Sequence, residues 1–276
     1  GEAEELPVLM MCHATGFCKE TWLPVVEELA KFTRSPLRWI ALDFSGHGDS
    51  RPLPSNPPPW KEVFGGDVLT TLDELVGESG EVVGIGHSMG GAALLSAALK
   101  RPNAFKSLCL IEPIVLDPEM QPSPNEISSF LAEGAKRRKA QWSTMDDAVS
   151  YLKSRRPFQS FSQHGMDAML QGCLRLSDDG VQGQLKCDPY SESQVYLGRG
   201  FEGGGDWLWS HVKEVTTPTH ILSGSLSPPE MNHQHFTKLS ARIPGSTHVV
   251  KQGVGHFMVL EDPSLVARQV AMSFSE

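Results

Sequence analysis

Short apolar runs alternate with segments of helical composition over the first 111 residues. Apolar runs of this length, rich in β-branched and aliphatic residues, are typical of strands buried on both faces of a sheet. Strands alternating with helices predict βαβ units and a mostly parallel, twisted sheet flanked by helices. The predicted strands cover residues 7–12, 37–42, 82–85 and 107–111, and the predicted helices cover 21–32, 60–75 and 92–100.

The pattern changes after Glu112 and later returns. Residues 117–209 lack the alternation and are predicted to be mainly helical, with a polar, turn-rich stretch at the end. Strand-like runs then resume, and a closing helix follows. The sequence therefore predicts an α/β core of residues 1–116 and 210–276, with residues 117–209 inserted as a helical cap. The predicted cap helices are 125–142, 145–156 and 165–174, the turn-rich stretch is 177–205, the late strands are 219–224 and 247–251, and the last helix is 263–274.

The run Gly86-His87-Ser88-Met89-Gly90 joins a predicted strand to a predicted helix. A serine on such a sharp turn has its hydroxyl pushed out of the sheet, where it can attack a substrate. The flanking glycines are needed because a Cβ at either position would collide with neighbouring backbone. The start of the helix also supplies N–H groups that stabilise developing negative charge. This context predicts that Ser88 is a nucleophile.

Charge, cysteine content and hydropathy limit which classes of partner and which cellular location the chain is expected to have. A net charge of −9 over 276 residues argues against a nucleic-acid partner, because phosphate binding favours a basic face. Five widely spaced cysteines without a C-x-x-C pair favour reduced thiols and a cytoplasmic location. No apolar run reaches membrane-spanning length, and the N-terminal residues lack a signal-peptide pattern. The expected partner is a small molecule.

Four motifs occur in one order along the chain: His13-Ala14-Thr15-Gly16-Phe17, Asp43-x-x-Gly46-His47-Gly48-x-Ser50, Gly86-x-Ser88-x-Gly90 and Gly255-His256-Phe257. Together they resemble the α/β-hydrolase fold superfamily, in the branch that carries a helical cap. The resemblance covers nearly the whole chain. It implies an oxyanion loop at residues 13–17, where Ala14 replaces the usual glycine, and a histidine loop at residues 255–257.

The resemblance implies a general base near the C-terminus, since the family's catalytic order is nucleophile, acid, histidine. His256 fits this position and is predicted to activate Ser88. Structural roles are expected for the other histidines of interest. His248 lies within a predicted strand, and His87 is expected to pack beside the nucleophile. His13 and His47 are expected to brace their loops through hydrogen bonds. His233 and His235 are expected on a helix surface rather than in a metal site, because no third ligand is evident.

The acid of the triad departs from the family pattern. Many relatives place an aspartate where this chain has Ser227, and a serine cannot hold the imidazole tautomer or stabilise an imidazolium. Some relatives, certain haloalkane dehalogenases among them, carry the acid after the preceding strand, where this chain has Glu112. A carboxylate at the mouth of an apolar strand needs a partner when buried, and His256 would be one. Glu112 is therefore the predicted acid, with Glu230 and Asp117 as alternatives.

The oxyanion hole is predicted to consist of the backbone N–H groups of Met89 and Thr15. Phe17 is the alternative to Thr15, because Gly16 makes the loop register ambiguous. No metal and no organic cofactor is expected for this chemistry.

These features predict an acyl-transfer hydrolase acting on a small to medium, fairly hydrophobic ester. A serine at the turn argues against dehalogenase or epoxide hydrolase chemistry, because those relatives use an aspartate there. Aromatic and methionine residues of the cap are expected to seal it against the core and in part to line an apolar pocket. A lyase or C–C bond hydrolase with the same triad stays open, as does a weakly active ligand-binding receptor.

Overall fold

A computed structural model describes residues 7–33, 36–53, 59–77, 81–156, 158–177, 179–198 and 204–272. Nine strands and eleven α-helices are assigned over these ranges. The strands are β1 Val8–Cys12, β2 Arg38–Leu42, β3 Val82–His87, β4 Ser107–Ile111, β5 Gln141–Trp142, β6 Leu174–Leu176, β7 Gly183–Leu185, β8 Thr219–Gly224 and β9 Thr247–Lys251. The helices are α1 Leu23–Leu29, α2 Trp60–Leu75, α3 Met89–Lys100, α4 Pro124–Lys136, α5 Met145–Lys153, α6 Gln163–Cys173, α7 Pro189–Gly198, α8 Gly205–His211, α9 His233–Arg242, α10 Met258–Glu261 and α11 Pro263–Met272.

Six strands form one parallel sheet in the order β2-β1-β3-β4-β8-β9. Because the strands are parallel, their carboxyl ends meet at one edge of the sheet. The register sets Gly86 of β3 beside Cys12 of β1 and Leu110 of β4. The loops after β1, β3, β4 and β9 therefore lie at one edge, and these loops carry the predicted site residues.

Apolar side chains alternate across the sheet and fill a core on each face. Along β1, Met10 and Cys12 pack in the core that contains α2 and α3. Leu9 and Met11 point the other way, into the core that contains α1 and α11. Burial on both faces explains why the interior strands β1, β3 and β4 are mainly apolar without a polar alternation.

The sheet agrees closely with the sequence prediction, and the inserted segment agrees less well. Residues 125–142 were predicted as one helix, but α4 ends at Lys136 and Trp142 lies in β5. Strands β5, β7 and β6 form a small antiparallel sheet that the sequence analysis did not predict. Strands of two or three residues are too short to show a periodic pattern.

The stretch 177–205 was predicted to be turn-rich, yet it contains helix α7. The carboxylate of Asp188 accepts the N–H groups of Tyr190 and Ser191, each at 3.0 Å, and so caps the first turn. Pro189 occupies the first helical position, where its missing N–H costs nothing. Asp188-Pro189 was thus a usable helix-start signal in the sequence.

Candidate active site

Ser88 occupies the sharp turn between β3 and α3. Its backbone has φ 56° and ψ −115°, in a region that residues with a Cβ rarely adopt. A Cβ added at Gly86 would lie 2.7 Å from the carbonyl atoms of Gly90, and one added at Gly90 would lie 2.1 Å from the carbonyl oxygen of Cys12. The turn is therefore packed too tightly for a side chain at either glycine.

We expect Gly90→Ala to destabilise the fold and remove any activity that depends on Ser88. The new methyl overlaps the backbone of β1, which cannot yield as a flexible side chain would, so the cost is about 3 kcal/mol or more. Gly134→Ala is the matched control, because a Cβ at Gly134 in α4 meets nothing within 4 Å and gains helix propensity. Urea unfolding of both variants measures the difference. Equal stability of Gly90→Ala and the parent would contradict the packing argument.

Ser88, His256 and Glu112 form a continuous hydrogen-bonded chain at the carboxyl edge of the sheet. The Oγ of Ser88 lies 3.3 Å from Nε2 of His256. The Nδ1 of His256 donates to Oε2 of Glu112 at 2.7 Å. With Nδ1 carrying the proton, Nε2 presents its lone pair to the serine hydroxyl. The structure therefore brings together the three residues that the sequence analysis chose as nucleophile, base and acid.

Glu112 is fully buried, and both of its oxygens are occupied. In addition to the bond from His256, Oε1 accepts the Gly224 N–H at 2.7 Å and the Ser227 hydroxyl at 2.5 Å. A buried carboxylate needs such partners to offset its lost hydration. The backbone of Glu112 has φ 43°, an unusual value for a residue with a side chain. This set of contacts fixes the carboxylate toward the imidazole.

Ser227 has a role that the sequence analysis did not predict. It stands where many relatives carry the acid, and we predicted only that it could not replace one. Its hydroxyl instead donates to the carboxylate that arrives from the end of β4. The sequence did offer a signal for this contact. A polar residue, Ser227, occupies the usual acid position, while a carboxylate, Glu112, follows the neighbouring strand.

Two further residues hold the histidine loop. The Nε2 of His87 donates to the carbonyl oxygen of His256 at 2.8 Å, which agrees with a structural role for His87. The Gly255 N–H donates to Oε2 of Glu261 at 2.6 Å, and Ser160 of the inserted segment donates to the other oxygen of Glu261 at 3.1 Å. Glu261 follows the histidine motif closely in sequence, but its bond to Gly255 was not predicted.

Neither alternative acid is joined to His256 by a described side-chain contact. Asp117 accepts the Glu119 N–H at 3.0 Å and lies 3.7 Å from the Lys238 ammonium. Glu230 lies in a short 3₁₀ helix, Pro229–Met231. The hydrogen bonds and the ion pair described for the side chain of His256 join it to Glu112 and Ser88, and none of them involves Asp117 or Glu230.

The prediction of surface positions for the histidine pair of α9 holds for one member. His233 is exposed, whereas His235 is buried, stacks on Trp209 and donates from Nε2 to the carbonyl oxygen of Val115 at 2.9 Å. The amphipathic pattern of α9 did not reveal this, because the covering residues come from α8, far away in sequence. Within the described ranges, no group of three or more His, Cys, Asp or Glu side chains is placed to hold a metal ion.

The loop after β1 is tied to the core by His13. The Nδ1 of His13 donates to the Ala14 carbonyl oxygen at 2.8 Å, and its Nε2 accepts the Phe44 N–H at 3.1 Å. The Phe17 N–H is engaged with the Ala14 carbonyl at 3.2 Å. Met89 begins α3, where the first N–H groups lack acceptors within the helix.

Three histidines next to the site are held neutral by burial. Burial lowers the pKa of His13. Burial, together with the nearby His13, lowers the pKa of His47 to about 3. Burial, together with the nearby His256, lowers the pKa of His87 well below its usual value. Their hydrogen bonds accordingly use the neutral imidazole, in which one nitrogen donates and the other can accept.

We expect the free energy of unfolding to fall as the pH drops from 7.5 to 5. The unfolded chain protonates its histidines below a pKa of about 6.5, while the native pKa of His47 is about 3, so acid favours the unfolded state. At pH 5 the contribution of His47 alone is about 2 kcal/mol. Urea unfolding at both pH values checks this. Over this pH range the free energy of unfolding of His47→Gln is expected to fall by about 2 kcal/mol less than that of the parent. That of His233→Gln is expected to fall as much as that of the parent. Equal decreases in the parent and in His47→Gln would contradict this assignment.

Three half-buried phenylalanines meet beside His256. Phe257 follows His256, and its ring centroid lies 5.6 Å from that of Phe17 in the loop after β1. Phe161 of the inserted segment lies 6.4 Å from Phe17 and 5.7 Å from Phe257. Phe161 thus contacts the loops after β1 and β9. Trp142 and Tyr151 instead pack against each other within the inserted segment.

The fold and the site together define a class of protein. A parallel sheet, a strained serine between strand and helix, and a histidine arriving from a later loop are the marks of an α/β hydrolase. A family model described as the alpha/beta hydrolase family matches residues 9–269. The chain belongs to this family. Among the described residues, no helix is both long enough and apolar enough to span a bilayer.

Individual relatives are distant. The Abhydrolase domain-containing protein ACTT2-1 of Alternaria alternata is 23% identical over 219 residues, which cover 69% of this chain and 81% of that protein. The structure of the peroxisomal alpha-beta-hydrolase Lpx1 of Saccharomyces cerevisiae superposes with a TM-score of 0.79 at 22% identity, and the match covers 96% of this chain and 75% of that chain. The structure of a thermophilic esterase of Thermogutta terrifontis superposes with a TM-score of 0.68 at 21% identity, and the match covers 99% of this chain and 90% of that chain. These likenesses support the fold.

Proposed function

We propose that this chain is a serine hydrolase that cleaves carboxylic esters through a triad of Ser88, His256 and Glu112. The observation that carries the proposal is the hydrogen-bonded chain from the serine hydroxyl through the imidazole to the buried carboxylate. Family membership and the esterase among the similar structures are consistent with it. No residue in this scheme requires a metal or an organic cofactor.

The first half-reaction forms an acyl-enzyme. Oγ of Ser88 attacks the ester carbonyl carbon while Nε2 of His256 takes the hydroxyl proton. The separation of 3.3 Å is long for an O–H···N bond, and such bonds commonly tighten when substrate binds. Glu112 stabilises the imidazolium that forms, because its Oε2 accepts the Nδ1 proton at 2.7 Å. His256 then returns the proton to the departing alcohol.

The second half-reaction releases the acid. His256 takes a proton from water, which attacks the acyl carbonyl, and then returns it to Ser88. In both halves the tetrahedral oxyanion is held by backbone N–H groups. We assign these to Met89, at the start of α3, and Thr15. We prefer Thr15 to Phe17 because the Phe17 N–H is already engaged with the Ala14 carbonyl.

The substrate is proposed to be a small to medium, fairly hydrophobic ester. Phe17, Phe161 and Phe257 offer an apolar surface next to the base, and such a surface favours apolar over charged substituents. The core of residues 1–116 and 210–276 would carry the chemistry, and the cap of residues 117–209 would set the size limit through residues such as Phe161.

A panel of p-nitrophenyl esters of increasing acyl length tests the proposal. We expect measurable hydrolysis of short and medium acyl chains, with kcat/KM rising from acetyl to a medium chain. A cyanohydrin and a 1,3-diketone in the same panel detect lyase and C–C bond cleavage. Turnover of these compounds with none of the esters would replace ester hydrolysis by the alternative. No turnover of any compound, with ligand-dependent thermal stabilisation, would favour a binding role.

A further inference from the structure

Two cysteine thiols meet where the oxyanion loop touches the cap. The Sγ atoms of Cys18 and Cys173 are 3.1 Å apart, although 155 residues separate them in sequence. Cys18 directly follows Phe17, and Cys173 is the last residue of α6 and leads into β6. Both side chains are buried. The pair is therefore a buried contact between the loop after β1 and the end of α6, two parts of the chain that are distant in sequence.

The packing around the pair holds the thiols together. Gly172 lets α6 approach the loop closely, because a Cβ there would lie 2.4 Å from Sγ of Cys18. Met166 and Met169 of the same helix belong to the apolar cluster that encloses both cysteines. A disulfide needs the sulfurs about 1 Å closer than they lie in the thiol form, a distance that small side-chain rotations can supply.

We propose that Cys18 and Cys173 form an oxidation site, at which a peroxide generates a disulfide that ties the cap to the oxyanion loop. One thiolate attacks a peroxide oxygen, the O–O bond breaks, and a sulfenic acid and one water form after proton transfer. The second thiol then attacks the sulfenic sulfur, the S–O bond breaks, and a second water leaves. Two thiols are oxidised by two electrons, and hydrogen peroxide is reduced to two waters.

The Cys18–Cys173 disulfide would slow turnover at Ser88, a consequence that rests on the proposed function. Ser88 is only 6% exposed, and the side chain of His256 is 18% exposed, so a substrate has little access while the cap lies on the core. Phe161 of the cap meets Phe17 next to Cys18. A disulfide at this contact would keep α6 on the loop and hinder entry of bulky substrates.

The site differs from the other cysteines of the chain. Cys12 and Cys109 lie within interior strands of the sheet, with burial as the main cause of their raised pKa. Cys187 is buried within the cap, and no thiol contact comparable to that of Cys18 with Cys173 is described for it among the residues that the structure describes. The bond from Cys173 and burial raise the pKa of Cys18, so the thiolate is scarce. Oxidation should consequently be slow and require the interface to open.

The linkage is tested on the full chain without any variant. Reduced protein is treated with hydrogen peroxide, free thiols are alkylated, and the digest is mapped under non-reducing conditions. We expect a cross-linked pair of peptides containing residues 18 and 173, a mass loss of two hydrogens, and reversal by a thiol reductant. The closed loop also predicts a higher thermal unfolding midpoint in the oxidised form. A Cys173–Cys187 link, an intermolecular link or irreversible sulfonic acid at these positions would overturn the proposal.

The functional consequence is tested by the labelling rate of a bulky fluorophosphonate at Ser88. Oxidation is expected to slow labelling at least about fivefold in the parent and in Cys187→Ala, and to leave Cys173→Ala unchanged. Recovery on reduction completes the expected result. A disulfide that forms without any change in the labelling rate would overturn the restraint. Absence of labelling in the reduced parent would instead count against the proposed function, while the peptide map and the unfolding midpoint still decide the linkage.

Discussion

Replacing Ser88 with alanine is expected to lower kcat for ester hydrolysis by on the order of 10⁴- to 10⁶-fold. The substitution removes the attacking oxygen and leaves the turn intact, because alanine has the same Cβ as serine. His256→Ala is expected to cause a loss of similar size, since without the imidazole nothing described next to Oγ accepts its proton. Steady-state kinetics on the best ester of the panel measures both effects.

The matched controls are Ser150→Ala and His233→Ala, which replace exposed side chains of the same types on α5 and α9. Both are expected to retain the parent's kcat. The double variant Ser88→Ala/His256→Ala should be about as slow as either single variant, because residues of one catalytic unit are not additive. Independent, additive losses would argue against a shared step, and near-normal turnover of Ser88→Ala would remove Ser88 from the mechanism.

Glu112→Gln is expected to lower kcat by about 10⁴-fold with a smaller effect on KM. Glutamine keeps the shape of the side chain and an oxygen that accepts the Gly224 N–H, so the fold is expected to persist. It lacks the charge that stabilises the imidazolium, and its amide can turn toward His256 and favour the wrong tautomer. The measurement is kcat against pH, together with urea unfolding to separate catalysis from stability.

Two comparisons sharpen this prediction. Glu230→Gln is expected to behave as the parent, and a large loss there with normal turnover of Glu112→Gln would transfer the acid role to Glu230. Ser227→Asp combined with Glu112→Gln places a carboxylate at the position that many relatives use. Because Ser227 already reaches the carboxylate of Glu112, we expect the double variant to recover part of the lost kcat. If the kcat of the double variant does not exceed that of Glu112→Gln, the loop after β8 cannot present an acid to His256.

The sheet and the members of the candidate site could be predicted because their signals are local. Val82–His87 is apolar, it is followed by a glycine-flanked serine, and parallel strands bring their carboxyl ends together. The acid was harder to predict, since its usual position holds Ser227. Choosing Glu112 depended on the resemblance to relatives that carry the acid after the preceding strand, and on the cost of burying a carboxylate without a partner. Its geometry with His256 agrees with that reasoning.

Other features depend on contacts that a single sequence does not show. The bond between Ser227 and Glu112 joins residues 115 positions apart, and no local pattern reports it. The burial of His235 is set by Trp209 of another helix. Strands β5, β6 and β7 form because they pair with one another, not because their residues strongly prefer strand. Tertiary context decided each of these cases.

The central claim is that the hydroxyl of Ser88 is made reactive by His256. Mass spectrometry of the peptide containing residue 88, after brief treatment with a fluorophosphonate, tests it most directly. We expect a stoichiometric adduct on Ser88 in the parent and a labelling rate reduced by several orders of magnitude in His256→Ala. An unmodified Ser88 in the folded parent, or equal labelling with and without the imidazole, would contradict it.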